Sequence, residues 1–311
     1  MPELLEGIHH ITAITADAPR NVDFYARLLG LRLVKKTVNF DAPDVYHLYY
    51  GDEAGSPGSI LTFFEFPGAP LGRPGAGMIH RIVWRVGSET ALDFWTSRLG
   101  DEGVATERKG NRLRFADPEG LGLELAHVQS GDPPLRATAE GVPSEHALQG
   151  YDGARAYTTA PGRSAALLGR TLRFERDGDG DEDWLCGGEA RGSRWRYDPP
   201  PAERGLQGAG TVHHIAWASR DEDHQAWLDT VARAGPHATP IIDRQYFRSI
   251  YFREPSGVLF EIATLGPGFA TDEDPEHLGE ALRLPPQHEH LRDRLERTLS
   301  PLSNPRAEPV A

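Results

Sequence analysis

One unit recurs along this sequence and limits what the chain can fold into. From Gly7 it reads GIHHITAIT, then a helical stretch ADAPRNVDFYARLLG, then three β-rich pieces, LRLVKKTV, VYHLYY and SILTFFEF. The order is strand, helix, three strands. A second copy runs from MIHRIVWRV to LGLELAHV, and the last runs from TVHHIAWAS to VLFEIAT. These two align without a gap over their terminal hairpins, Phe115–Glu124 against Phe252–Glu261, with Pro118 on Pro255 and Gly120 on Gly257. Pro and Gly at those places predict a tight turn between antiparallel strands, so a glutamate falls in each closing strand. A more degenerate copy lies between Ala147 and Pro199, with a helix APGRSAALLG followed by LRFERDG, DWLCGG and SRWRYDP.

A repeat of this kind fixes the architecture before any single motif is weighed. Four βαβββ modules cover residues 5–265, an α+β chain. The expected division places modules one and two in residues 1–130 and modules three and four in 145–268. Residues 269–311 form a C-terminal extension, with a helix-like HEHLRDRLERTL and a Pro-rich end expected to be disordered.

Charge narrows the partners. A net charge of −13 over 311 residues disfavours nucleic acid and anionic membrane surfaces, which reward basic patches. No apolar run approaches the roughly 18 residues that span a bilayer. MPELLEGIHH lacks the basic and apolar regions of a secretory signal, and the single cysteine, Cys186, has no internal partner; both predict a cytoplasmic protein. Small molecules or other proteins remain as partners, and a homo-oligomer is compatible with all of this.

Aligning modules two and four on Trp84 and Trp217 puts His80 on His213 and Arg81 on His214. Module four thus keeps a potential ligand where module two has a cation. Module one repeats the pair as His9 and His10, HHIT against HHIA. With Glu261, 47 residues beyond His214, two such strands supply two imidazoles and one carboxylate, a set typical of non-haem Fe(II) with open positions for reactants. Adjacent strand residues point to opposite faces, so only one histidine of each pair faces a cavity unless the strand is distorted. The second of each is the candidate ligand: His10 and His214. Since His10 belongs to module one and the others to module four, those modules must share a barrel, leaving modules two and three to pair. Module two offers Arg81 and Arg114 where module four offers His214 and Tyr251, so one metal per chain is expected.

GIHHIT, YHLYYGDEAGSPG, TVHHIAWA, DRQYFRSIYFREPSGVLFEIAT and GFATDED resemble ring-cleaving dioxygenases of the hydroquinone 1,2-dioxygenase type, in the vicinal-oxygen-chelate (glyoxalase/bleomycin-resistance/dioxygenase) superfamily. The resemblance covers nearly the whole chain and is loosest in module three and the tail. It implies two half-barrel pairs and one Fe(II) held by His10, His214 and Glu261. It also implies catalytic roles for His213 and Tyr251, with Thr12 and Arg244 on the substrate, a small hydroquinone- or catechol-type diol that reacts with O2.

A glyoxalase-type isomerase on the same modules would need a second carboxylate from module one, but Thr62 stands at the position matching Glu261. A non-catalytic small-molecule binder predicts no metal. Other motifs read as structural. RDGDGDEDW has Asp177, Asp179 and Asp181 at calcium-loop spacing, but Glu182 replaces the needed glycine and Gly188 the bidentate glutamate, leaving a solvated hairpin. HEHL at His288 is not a zinc motif. DEDP at Asp272 reads as a helix start.

Overall fold

The computed structural model describes residues 2–303 and Arg306; most of the tail expected to be disordered lies outside them. Every module contributes four strands. Module one has β1 (Ile8–Thr15), β2 (Arg32–Asn39), β3 (Ala42–Gly51) and β4 (Ile60–Glu65). Module two has β5 (Ile79–Val86), β6 (Glu107–Lys109), β7 (Arg112–Ala116) and β8 (Gly122–His127). Module three has β9 (Tyr151–Tyr157), β10 (Glu175–Arg176), β11 (Asp183–Gly187) and β12 (Gly192–Asp198). Module four has β13 (Val212–Ser219), β14 (Ile242–Asp243), β15 (Phe247–Arg253) and β16 (Leu259–Pro267).

The strands form two eight-stranded sheets, ordered β14-β15-β16-β13-β1-β4-β3-β2 and β10-β11-β12-β9-β5-β8-β7-β6. Modules one and four therefore share one sheet and modules two and three the other. The antiparallel seams are β1 on β13 and β5 on β9. Every residue of β1 is buried, as expected of a strand covered on both faces. The paired hairpins turn as their Pro and Gly predict, with Gly120 at φ +93 and Gly257 at φ +110 in the left-handed region.

Helices are more irregular than the sequence suggests. Module two has a full α-helix, Glu89–Asp101, capped by the Ser88 side chain on the Ala91 N–H. Module four has His224–Arg233. Module one has only Ala18–Val22 before a π-helical turn over Asp23–Leu28, and module three a 3-10 turn, Pro161–Arg163, then a π-helical turn over Ala166–Thr171. The acidic RDGDGDEDW segment is a hairpin whose Asp177, Asp181 and Asp183 pair with Arg194, Arg176 and Arg196.

The C-terminal extension crosses back over β2. Lys35, fully buried, reaches Asp272 at 2.6 Å, the Phe269 carbonyl at 3.2 Å and Glu273. Leu284 and Leu295 pack on Val38. The helix start expected at Asp272 is two residues late: Asp274 caps the 3-10 turn Pro275–His277. Asp272 instead accepts from Lys35, Tyr246 Oη and Gln245 Nε2. Among the described residues, no helix is long and apolar enough to cross a membrane.

Candidate metal centre and active site

Three side chains converge where β1, β13 and β16 lie side by side. His10 Nε2 is 3.3 Å from His214 Nε2, and Glu261 Oε2 is 3.2 Å from the first and 2.9 Å from the second. Among the described residues, this is the one group of three or more His, Cys, Asp or Glu side chains whose ligand atoms lie together, within 4.8 Å of one another. All three are buried, Glu261 completely. Despite those short distances, neither Glu261 oxygen has a well-directed hydrogen bond. Oε2 has both imidazole nitrogens within reach and Oε1 has no partner among the described residues, so the buried carboxylate is only partly compensated by protein groups, and a cation among the three side chains would complete its coordination. The flanking imidazoles hold the Glu261 carboxyl well below the usual range despite its burial, so it is present as the anion. The donor set, two nitrogens and one carboxylate, fits a divalent transition metal.

The strand register explains how adjacent histidines can share a task. On the β1–β13 seam Ile8 faces Trp217 and His10 faces Ala216, which makes His9 an extra residue; Thr12 faces His214 and Ala13 faces Val212, which makes His213 another. Both are bulge residues, and a bulge re-aims the side chain that strict alternation would send to the other face. His213 therefore lines the cavity beside His214. Its Nδ1 lies 2.7 Å from His214 Nδ1, and His9 Nδ1 lies 3.0 Å from His10 Nδ1. Each candidate ligand thus has its Nδ1 engaged and its Nε2 directed at the cluster. His9 is buried against the Phe247 ring.

The second barrel carries the same bulges, at His80 and Asp152. There the counterpart of His10 is Gly153, of His214 Arg81, and of Thr62 Arg196. Glu124, opposite Arg114 as Glu261 is opposite Tyr251, is clasped by Arg81 at 3.2 Å, Arg114 at 2.8 Å and Arg112. That carboxylate is fully neutralised by side chains and has no imidazole beside it.

A cavity of about 360 Å³ opens onto the cluster, the size of a site for a small ring. Of the residues expected from sequence, His10, Thr12, His213, His214, Arg244 and Tyr251 all line it, with Glu261 directly behind His214. Phe40, Phe64, Phe66 and Phe247 supply apolar walls. Arg244 Nε donates to Tyr251 Oη at 3.2 Å, and its guanidinium lies 5.4 Å from the Tyr251 ring centre. Burial raises the Tyr251 phenol well above its usual value, so it stays protonated. Since the oxygen accepts from Arg244, its own hydrogen is available to the cavity. The His213 ring edge opens to the cavity, yet the surrounding walls desolvate it and lower its pKa to about 4, so it is neutral near pH 7.

Sequence reasoning did not single out His47 and Tyr49, which also line the cavity. Tyr49 Oη is 2.9 Å from His47 Nδ1, His47 Nε2 is 2.9 Å from Thr62 Oγ1, and Thr62 donates to Thr12 at 3.0 Å. Their spacing of two along β3 places both on one face, a signal present in VYHLYY. Thr62, where a second carboxylate would stand in an isomerase, is an internal link of this chain of hydrogen bonds.

The sequence matches the family described as the Glyoxalase/Bleomycin resistance protein/Dioxygenase superfamily over residues 7–125 and over 89–262. It is 44% identical over 301 residues to the Bacillus subtilis (strain 168) protein named "Putative ring-cleaving dioxygenase MhqO", covering 95% of this chain and 96% of that one. It is 35% identical to the "Chlorohydroquinone/hydroquinone 1,2-dioxygenase" of Sphingobium indicum, covering 96% and 98%. A crystal structure described as a "putative dioxygenase" from Bacillus subtilis superposes with a TM-score of 0.89 at 42% identity, covering 97% of this chain and 99% of that one. Glyoxalase I from Zea mays, at 14% identity, shares the fold alone, with a TM-score of 0.57 over 88% of this chain and 95% of its own. A duplicated match across most of the chain and relatives aligned from end to end leave one assignment: the chain belongs to the Glyoxalase/Bleomycin resistance protein/Dioxygenase superfamily.

Proposed function

We propose that this chain is an Fe(II)-dependent ring-cleaving dioxygenase acting on a dihydroxylated aromatic of the hydroquinone or catechol type. The observation that carries the reading is the buried trio of His10, His214 and Glu261, whose ligand atoms lie within 4.8 Å of one another, beside a cavity walled by aromatic rings. The names of the full-length relatives support the ring-cleaving activity. His10, His214 and Glu261 would hold the iron, which when bound lets O2 react with the aromatic ring at otherwise open ligand positions.

The remaining residues bind the ring and manage protons. With Nε2 of His214 given to the metal, its Nδ1 carries the hydrogen and donates to His213 Nδ1, which leaves His213 Nε2–H facing the substrate. His213 is then a neutral hydrogen-bond donor to a substrate oxygen and stabilises negative charge that develops there. Tyr251 Oη offers a second donor, fixed in direction by Arg244. Thr12 is held by Thr62 and His47 at the cavity wall, where it orients the ring. The Phe walls exclude water and stack or edge against the substrate.

The isomerase reading lacks its second carboxylate, since Thr62 is committed to His47 and Thr12. A binder without metal leaves the buried Glu261 oxygens unexplained. The test is oxygen uptake by anaerobically iron-loaded protein with a panel of catechols and hydroquinones. Uptake with loss of the aromatic absorbance is expected; stoichiometric iron binding with no uptake for any diol would overturn the reading.

A further inference from the structure

At the mouth of the cavity stands one carboxylate that the proposed chemistry does not use. Asp41 sits at the tip between β2 and β3, with its side chain 78% exposed, and accepts from Arg244 NH1 at 3.2 Å. Both residues line the cavity. The tip is held in place: the Asp41 N–H donates to Asn39 Oδ1 at 3.0 Å, and His288 Nε2, from the C-terminal extension, reaches the Phe40 carbonyl at 2.9 Å. Arg294, further along the extension, pairs with Asp44 on the same hairpin. An exposed pair of this kind adds little to stability. Its effect is on the field that a molecule meets when it enters or leaves.

We propose that the Asp41–Arg244 pair is a charge filter at the cavity mouth, admitting uncharged diols and favouring the exit of acids. The inference rests on the dioxygenase reading for its physiological sense. Arg244 is the one arginine or lysine among the lining residues, and Asp41 the one aspartate or glutamate. Without Asp41, Arg244 would present an uncompensated guanidinium, a natural clasp for a carboxylate. With it, the pair is net neutral, so a carboxylated ring loses the attraction that the bare guanidinium would offer, whereas a neutral diol is indifferent to the change.

The same asymmetry separates substrate from product. Cleavage of the bond between a hydroxyl-bearing ring carbon and its neighbour places one atom of O2 on each carbon. The hydroxyl-bearing carbon becomes a carboxylic acid, and an unsubstituted neighbour becomes an aldehyde. All oxidising equivalents come from O2. The neutral diol that enters thus leaves as an anion at neutral pH, past Asp41.

The experiment compares wild type, Asp41→Asn and the double variant Asp41→Asn/Arg244→Gln. Binding of phenol and of 4-hydroxybenzoate to the metal-free proteins is measured by calorimetry at low and high salt. Asp41→Asn should tighten 4-hydroxybenzoate about fivefold relative to phenol, the scale of one partly screened charge, and the gain should shrink in high salt. The double variant should lose it. An unchanged ratio in Asp41→Asn, or a gain that survives loss of Arg244, overturns the filter. Oxygen uptake by the iron-loaded wild type is run alongside: failure there with every diol refutes the dioxygenase reading, while the binding ratio still decides the filter.

Discussion

The two barrels allow a carboxylate to be tested against its own structural twin. Glu261 and Glu124 occupy equivalent places in aligned hairpins, and both are fully buried. Glu124 holds together Arg81, Arg112 and Arg114, whose side chains are 23%, 26% and 26% exposed. Breaking a buried ion pair from one side costs about 3–5 kcal/mol. Because these guanidinium groups retain some solvent, the loss in Glu124→Ala should be smaller, about 2–3 kcal/mol. In a chain of this size that is a fall in Tm of roughly 5 °C. Its metal content should be unchanged, since Glu124 has no imidazole ligand near it.

Glu261→Gln should do the reverse. Its oxygens make no well-directed hydrogen bond, so the metal-free variant should unfold within about 1 kcal/mol of wild type. Loss of one of three protein ligands and of its charge should weaken Fe(II) binding at least about 100-fold. The metal-dependent part of the wild-type Tm, worth about 2.7 kcal/mol at a hundred times Kd, should then disappear. The assay is thermal unfolding of both variants with iron and with chelator, alongside iron analysis. Iron retained by Glu261→Gln but lost from Glu124→Ala would place the metal in the other barrel.

Two further outcomes follow from packing and burial. A Cβ on Gly153 would lie 2.2 Å from the Arg194 carbonyl oxygen, so Gly153→Ala should destabilise by about 1–3 kcal/mol in denaturant unfolding, without touching iron content. Burial lowers the His224 pKa from 6.5 to about 4, so as pH falls from about 6.5 towards 4 the unfolded chain takes up a proton that the folded chain refuses, and stability drops. Discounted for solvent screening around a partly desolvated ring, the loss is on the order of 1 kcal/mol between pH 7 and 5. His224→Gln should flatten that part of the pH–stability curve; an unchanged slope would remove His224 as its source.

Local chemistry made the modules and the trio readable in sequence. Pro255 and Gly257 mark a turn on their own, the HH pairs stand in matching strands, and the need for His10 to meet His214 already implied that modules one and four share a sheet. The bulges were not readable. His9 and His213 are extra residues only with respect to a partner strand about 200 residues away, and register is a property of the pair. Nor was the function of Asp272: an acidic residue before a proline looks like a cap, and only the fold brings Lys35 and Tyr246 to it. The helical stretches expected in modules one and three are present, but their type was not readable. Their residues have helical propensity, but the backbone widens into π-helical turns over Asp23–Leu28 and Ala166–Thr171, which propensity does not distinguish from an α-helix.

The nesting of the sheets also imposes an order of assembly. Modules two and three are neighbours in the chain and can close their sheet as soon as β12 is made, whereas β1 waits for β13. His10 and His214 are 204 residues apart. At roughly 5–20 residues per second of synthesis, the first histidine is exposed for about 10–40 s before the second exists. During that interval β1 has its inner edge open, and no metal can be held by protein ligands from both modules. A site built from both modules can therefore form only after module four is made, and a chain that ends before module four leaves β1 without its β13 partner, an open strand edge of the kind that promotes aggregation.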